Sequence, residues 1–152
     1  MIVTRSMAVT GSRTTEHRPF AHYAALFERY LAPFAPGGHF HLGGMRGVGG
    51  LALEWLAERT DAELTVVLPG TLHDEPLDAR RLVDRARERI AQIVELGASP
   101  VDADAYAARN RRLVDHTDMT IAFPVGTSRG SATWQTLEYT AEQGKPRLVV
   151  PI

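Results

Sequence analysis

Three glycine-rich stretches of this sequence each lie between an apolar, strand-like run and a helix-like pattern. The three stretches are 11–13 (Gly-Ser-Arg), 43–50 (Gly-Gly-Met-Arg-Gly-Val-Gly-Gly) and 126–131 (Gly-Thr-Ser-Arg-Gly-Ser). Glycine permits sharp turns and close backbone approach, and the helix that follows begins with N–H groups that have no partner inside the helix. These glycine-rich junctions predict a chain of alternating strands and helices.

The hydrophobic pattern predicts the same alternation. Strand-like runs occur at 7–10, 39–42, 64–68, 119–123 and 147–150. Apolar residues at helical spacing fill the intervals between them. The sequence therefore predicts an α/β fold: a single Rossmann-like domain over residues 1–152, with a mainly parallel five-stranded sheet and helices on both faces.

One predicted helix is long, running from Asp78 to Leu96. Its apolar stripe is formed by Leu82, Ala86, Ile90, Ile93 and Val94. Gly97 follows, where a glycine that ends a helix belongs. Ser131 is placed to cap the start of the last helix.

Composition limits the classes of function. A length of 152 residues with 44% apolar content suits one domain with a substantial core. The formal net charge of −1 lacks the basic excess typical of nucleic-acid binding, which is therefore not favoured. The absence of cysteine excludes disulfides and fits a cytoplasmic protein. No apolar run approaches the roughly 20 residues that span a bilayer, so we expect no membrane association.

Each glycine-rich stretch also carries an arginine: Arg13, Arg46 and Arg129. A guanidinium group can hold a phosphate through two hydrogen bonds, and a helix N-terminus adds a positive dipole. In a parallel sheet, all three stretches fall at the carboxyl ends of strands, where ligands of such folds bind. The sequence thus predicts a site for a phosphorylated small molecule.

These residues, with Arg109-Asn110-Arg111 and the segment 128–133, resemble the SLOG superfamily. This Rossmann-like group includes the DprA, YspA and LONELY GUY branches, and the sequence is most similar to the first two. The similarity runs from Ala8 to Val150. It implies a nucleotide or nucleotide-derived ligand held by these loops, often in a homodimer, with the Arg-Asn-Arg segment beside the pocket. The ligand-binding residues expected from the loops and the resemblance together are Gly11, Ser12, Arg13, Gly43, Gly44, Arg46, Gly47, Asn110, Gly126, Arg129, Gly130, Ser131 and Thr133.

The sequence departs from two branches of the superfamily. LONELY GUY hydrolases carry Pro-Gly-Gly-x-Gly-Thr-x-x-Glu with a catalytic glutamate. Depending on the alignment, Thr136 or Trp134 stands at that position, and neither is a carboxylate. DprA proteins are longer and bind single-stranded DNA through a basic surface, whereas this chain is near neutral.

Four titratable residues are candidates for acid–base chemistry: His73, Asp74, Glu75 and Glu138. The first three follow the third predicted strand, where a turn beside 69–70 (Pro-Gly) explains them equally well. Glu138 lies one turn into the last helix, where a surface position also explains it. Catalytic residues therefore stay unassigned.

Two other polar features have alternative interpretations. Asn110 lies on the inward face of its helix, either as a hydrogen-bonded buried amide or as a contact to a ribose or base. His39 and His41 alternate on a strand, but no third ligand with suitable spacing accompanies them, so packing is favoured over metal binding. The sequence predicts a nucleotide-binding sensor or carrier with no metal or cofactor. The alternatives are a nucleotide-cleaving hydrolase and a DprA-like binder of single-stranded DNA.

Overall fold

The computed structural model describes residues 5–43 and 45–152, so the predicted ligand residue Gly44 lies outside the described residues. The strands are β1 (Ser6–Gly11), β2 (His39–Leu42), β3 (Glu63–Leu68), β4 (Ile90–Glu95), β5 (Met119–Phe123) and β6 (Arg147–Val149). The α-helices are α1 (Phe20–Tyr30), α2 (Val48–Arg59), α3 (Leu77–Ala86), α4 (Ala103–Asp115) and α5 (Ala132–Glu142).

All the strands join one parallel sheet in the order β4-β3-β2-β1-β5-β6. The chain moves outward from β1 to β4 in one direction, then crosses back to place β5 on the other side of β1. The order therefore reverses between β1 and β5. In open parallel sheets this switch point opens a crevice at the carboxyl ends of the strands.

Alternating residues of the central strand pack on opposite faces of the sheet. Met7 and Val9 of β1 belong to the main core, where Phe27 of α1 contacts the rings of Trp55 and Phe123. Ala8 packs on the other side in a smaller cluster with Val67 and Leu113 of α4. Helices therefore cover both faces, and the predicted α/β class with a parallel sheet is confirmed.

The predicted number of strands is wrong, because the described residues form six strands rather than five. The predicted helix from Asp78 to Leu96 is correct only in its first half. Helix α3 ends at Ala86, a short 3-10 turn covers Arg87–Arg89, and β4 follows. Gly97, with φ of +73°, therefore follows a strand and does not end a helix.

The edge position of β4 explains this error. The strand pairs on one side only, with β3, and Ala91 and Gln92 are exposed. Its apolar residues Ile90, Ile93 and Val94 are spaced as in a helix, so periodicity does not separate the two structures. Arg89 anchors the turn before it by donating from Nη2 to the carbonyl oxygens of residues 60 and 62, at 2.8 and 2.9 Å. Among the described helices, none combines the length and apolar content required to cross a membrane.

Candidate ligand-binding cleft

A cavity of about 250 Å³ opens at the switch point between β1 and β5. The end of β1 forms its floor, and the first turns of α2 and α5 meet it through Gly49 and Ala132. The predicted ligand residues that line it are Gly11, Ser12, Arg13, Arg46, Asn110, Ser131 and Thr133. A wider cavity of about 750 Å³ adjoins it, and Arg13, Arg46 and Arg109 line both.

In the loop between β2 and α2, two glycines lie so close to other protein atoms that a side chain would not fit. Gly47 borders the wider cavity and has φ of +64°, and a Cβ there would collide with the Ser12 carbonyl oxygen and with Arg13. The Val48 N–H donates to the same Ser12 oxygen at 2.9 Å. A Cβ on Gly43 would lie 2.5 Å from Cδ of Arg109. These glycines therefore let the loop after β2 approach the loop after β1 and the Arg109 side chain of α4.

The loop between β5 and α5 is more open. Residues 125–130 are exposed, and a Cβ on Gly126 or Gly130 would meet no atom within 4 Å. Arg129 stacks over the ring of Trp134, with Cζ 4.4 Å from the ring centroid. The Trp134 Nε1–H donates to the Gly126 carbonyl oxygen at 3.2 Å. Gly126, Arg129 and Gly130 thus lie in a surface loop beside the cleft and do not line either cavity.

Two helices begin at the cleft. Gly47 stands before the first turn of α2 and has no side chain to cap it. At α5, the Ser131 Oγ accepts a hydrogen bond from the Trp134 N–H at 3.3 Å, so the predicted N-cap is confirmed. The first N–H groups of each helix have no acceptor within it, and the helix dipole makes this end electropositive. Both helix starts therefore favour an anion in the narrow cavity.

Arg109 is the buried cation of the cleft, only 6% exposed. Its Nε–H donates to Asn110 Oδ1 at 2.7 Å, so Asn110 both lines the cavity and orients the guanidinium. Burial lowers the pKa of Arg109 to about 10, and the charge of Arg13 adds to that effect. Within the described part of the chain, no carboxylate oxygen lies within 4.0 Å of Arg13, Arg46 or Arg109. The cleft therefore holds positive charge that no direct ion pair neutralises.

Arg109 is not among the ligand residues predicted from the sequence, although the Arg-Asn-Arg segment that carries the resemblance contains it. A usable signal was the helical phase of α4. Arg109 lies four residues after Ala105 and four before Leu113, and both of these are buried. Residues at this spacing share a face, which places Arg109 inward and the exposed Arg111 outward.

Glu75 is the one acid–base candidate that the fold brings to the cleft. It is partly buried in the wall of the wider cavity. Burial raises the pKa of its carboxyl group, although Arg109, Arg46 and Arg13 oppose that shift. The ring of Tyr106 lies beside two of these arginines, with Cζ of Arg13 4.4 Å and Cζ of Arg109 5.5 Å from its centroid.

The other three candidates lie elsewhere. Asp74 caps the short turn after β3, because its Oδ2 accepts from the backbone N–H of Thr71 at 2.9 Å and from its hydroxyl at 3.0 Å. These bonds lower the pKa of the Asp74 carboxyl group. His73 is exposed and lines neither cavity. Glu138 borders a separate groove between α4 and α5.

The histidine pair of β2 is a packed structural unit. The rings of His39 and His41 are 4.2 Å apart. Both ring nitrogens of His39 have partners, since Nδ1 lies 2.8 Å from a carboxylate oxygen of Glu63 and Nε2 2.6 Å from the Thr65 hydroxyl. Burial, reinforced by His39, lowers the pKa of His41 to about 4. Nowhere in residues 5–43 and 45–152 do three His, Cys, Asp or Glu side chains gather as a metal site.

No family model and no curated protein matches the sequence. Solved structures do match the fold. DNA processing protein A from Helicobacter pylori, described for its single-stranded DNA binding mode, superposes with a TM-score of 0.72 at 20% identity, over 98% of this chain and 66% of that one. The molybdenum cofactor binding protein of Rippkaea orientalis gives 0.63 at 18% identity, over 100% and 79%. The molybdenum cofactor carrier protein of Chlamydomonas reinhardtii gives 0.60 at 17%, over 97% and 76%.

The chain thus shares the Rossmann-like fold of DNA processing protein A and of the molybdenum cofactor proteins, and the resemblance predicted from the sequence is confirmed at the level of the fold. The chain spans slightly under two thirds of the Helicobacter protein and 59% of its Streptococcus pneumoniae counterpart. It spans about three quarters of the two molybdenum cofactor proteins.

Proposed function

We propose that this chain binds a nucleotide or nucleotide-derived phosphorylated small molecule at the switch-point cleft, in a sensing or carrying role. The observation that carries the proposal is the burial of Arg109 without a carboxylate partner. Burying a guanidinium group without a carboxylate partner costs free energy. The hydrogen bond to Asn110, the contact with the Tyr106 ring and the charge of Glu75 offset that cost only in part. A phosphate bound at the cleft supplies the missing negative charge and accepts hydrogen bonds in the fork geometry that arginine offers.

The surroundings of Arg109 support the same ligand chemistry. Arg13 and Arg46 line the cavity from two separate loops, and the helix starts at Gly49 and Ala132 add backbone donors. The Ser131 and Thr133 side chains add neutral hydrogen-bonding groups. Structural neighbours described as binding single-stranded DNA or a molybdenum cofactor indicate that this fold accommodates ligands of this general kind. The homodimer implied by the resemblance stays a prediction, which light scattering tests.

A thermal-shift panel tests the proposal. It contains nucleoside mono-, di- and triphosphates, NAD, ADP-ribose and a short single-stranded oligonucleotide. A ligand at a hundred times its dissociation constant adds about 2.7 kcal/mol, which raises the melting temperature of a chain this size by roughly 5–10 °C. A selective shift with a small phosphorylated molecule is expected. A flat panel at millimolar concentration, or a shift with the oligonucleotide alone, contradicts the proposal.

A pair of arginine variants assigns the binding to the cleft. Arg109→Met removes the buried charge and keeps much of the side-chain volume. We expect affinity for the ligand found in the panel to fall at least tenfold, while thermal stability without ligand stays equal or rises. Arg111→Met, two residues along α4 but exposed, is the matched control and leaves both unchanged. Unaltered affinity in Arg109→Met would place the ligand elsewhere.

A second candidate function, a nucleotide-cleaving hydrolase, rests on Glu75. Its raised pKa favours a carboxyl group that exchanges protons nearer to neutral pH, and it lies in the same cleft as the arginines. Chromatography of a nucleotide panel after incubation with the protein tests for products. Turnover that disappears in Glu75→Gln, while Glu138→Gln remains active, supports this function. Intact nucleotides throughout the panel contradict it.

A further inference from the structure

The cleft continues past the arginines. On one side lies the narrow section, of about 250 Å³, and on the other the wide section, of about 750 Å³. Arg13, Arg46 and Arg109 line both sections and are the only described side chains that do so. Three of the four arginines of the cleft therefore lie at the junction of the two sections, here called the waist, and the fourth, Arg85, lines the wide section.

The two sections differ in size and in charge. The narrow section alone is smaller than the roughly 300–1,000 Å³ of most small-molecule pockets, whereas the wide section falls inside that range. No carboxylate lines the narrow section in the described structure. The wide section has four carboxylates in its wall, against one arginine beyond the waist (Arg85): Glu16, Glu54, Glu75 and Asp78.

This arrangement constrains where a ligand carries its phosphate. A mononucleotide with a terminal phosphate at the waist would fill only one section. Three cations at the waist suit two negative charges better than one, since Glu75 compensates them only in part. The carboxylate wall disfavours further phosphates in the wide section and favours a group with N–H donors or positive charge.

We propose that the cleft binds a two-armed ligand, a pyrophosphate with an organic group at each end. The pyrophosphate lies between Arg13, Arg46 and Arg109, and the arm rich in hydrogen-bond donors occupies the wide section next to Glu75. The inference rests on the proposed function of the cleft, and it adds the position of the phosphates within the ligand. Glu75 is then a specificity residue for the second arm.

Isothermal titration with four probes tests it. NAD and ADP-ribose each carry an internal pyrophosphate, whereas AMP and ADP end in phosphate. We expect the better two-armed probe to bind at least tenfold more tightly than either AMP or ADP. In Glu75→Gln the ratio of the NAD affinity to the AMP affinity falls about tenfold. Glu58→Gln, an exposed glutamate of α2 outside both sections, is the control and keeps that ratio.

The outcomes separate this inference from the function beneath it. AMP or ADP binding as tightly as both two-armed probes overturns the inference and leaves nucleotide binding intact. An unchanged NAD to AMP ratio in Glu75→Gln overturns the assignment of the wide section. Failure of all four probes at millimolar concentration overturns the inference together with the proposed function. A single-stranded oligonucleotide that binds more tightly than either two-armed probe also overturns it.

Discussion

The loops after β2 and β5 have the same sequence signature, and the structure gives them different physical roles. Each is glycine-rich, contains an arginine and leads into a helix. In the loop after β2, Gly43 and Gly47 are enclosed by protein atoms. In the loop after β5, Gly126 and Gly130 face open space. A glycine-rich junction therefore indicates where a strand meets a helix, but it does not show whether the glycines are required by packing.

The largest effect is expected at Gly47, where both strain and crowding act. In Gly47→Ala the new Cβ collides with Ser12 and Arg13 in a backbone of positive φ. We expect a loss of about 3 kcal/mol in the free energy of unfolding. Urea unfolding followed by tryptophan fluorescence measures it. A loss below about 1 kcal/mol would show that the two loops separate easily.

A substitution at Gly43 is expected to weaken ligand binding more than it destabilises the fold. The nearest atoms to a new Cβ are Cδ, Nε and Cζ of Arg109, a long side chain that yields more readily than backbone. Gly43→Ala therefore displaces the guanidinium from Asn110, and we expect about tenfold weaker binding of AMP or NAD, equivalent to about 1.4 kcal/mol. Calorimetric titration reads this change, and a urea midpoint confirms that the variant folds. Wild-type affinity would mean that Arg109 has a second productive position.

A substitution at Gly126 measures the cost of the backbone conformation alone, because no other atom crowds the new side chain. Its φ is +65°, but a Cβ there meets nothing within 4 Å. Gly126→Ala should cost about 1 kcal/mol in the free energy of unfolding, because only the left-handed backbone disfavours it. Gly126→Asn is the companion variant, since asparagine tolerates this conformation and should recover part of the loss. Equal losses in both variants would contradict a purely conformational cost.

A substitution at Gly130 should hardly change the free energy of unfolding. Its φ is not positive and its Cβ position is open. Gly130→Ala is expected to change the free energy of unfolding by no more than about 0.5 kcal/mol, with stabilisation favoured because alanine restricts the unfolded chain. A loss above 1 kcal/mol would remove the contrast between the loops.

Most of the fold is predictable from the hydrophobic periodicity and from the residues that begin and end the strands and helices. The strand at Met119–Phe123 matches the prediction in full, and the helix capped by Ser131 begins where the capping pattern places it. The failure at Ile90–Glu95 has a physical cause. An edge strand buries only part of its surface, so its apolar residues need not alternate, and hydrogen bonds to β3 decide its structure. Such bonds join distant segments and leave no local trace in the sequence.

The site was predictable in part. Parallel strands gather their carboxyl ends, so the meeting of Ser12, Arg46 and Thr133 at one cavity follows from the fold class. Two properties do not follow from it. Helical phase directs Arg109 inward, but the extent of its burial depends on how α4 lies against Gly43, and the exposure of residues 125–130 depends on how far that loop projects. Both are set by tertiary packing.

The three arginines of the waist come from three separate segments of the chain. Arg13 follows β1, Arg46 follows β2, and Arg109 belongs to α4. An anion held by all three would act as a removable cross-link, fastening segments that are far apart in sequence. Limited proteolysis and amide exchange at residues 12–16 and 45–47 would then slow in proportion to occupancy. The occupancy of the cleft would then be measurable from the backbone of these two segments as well as from the ligand itself.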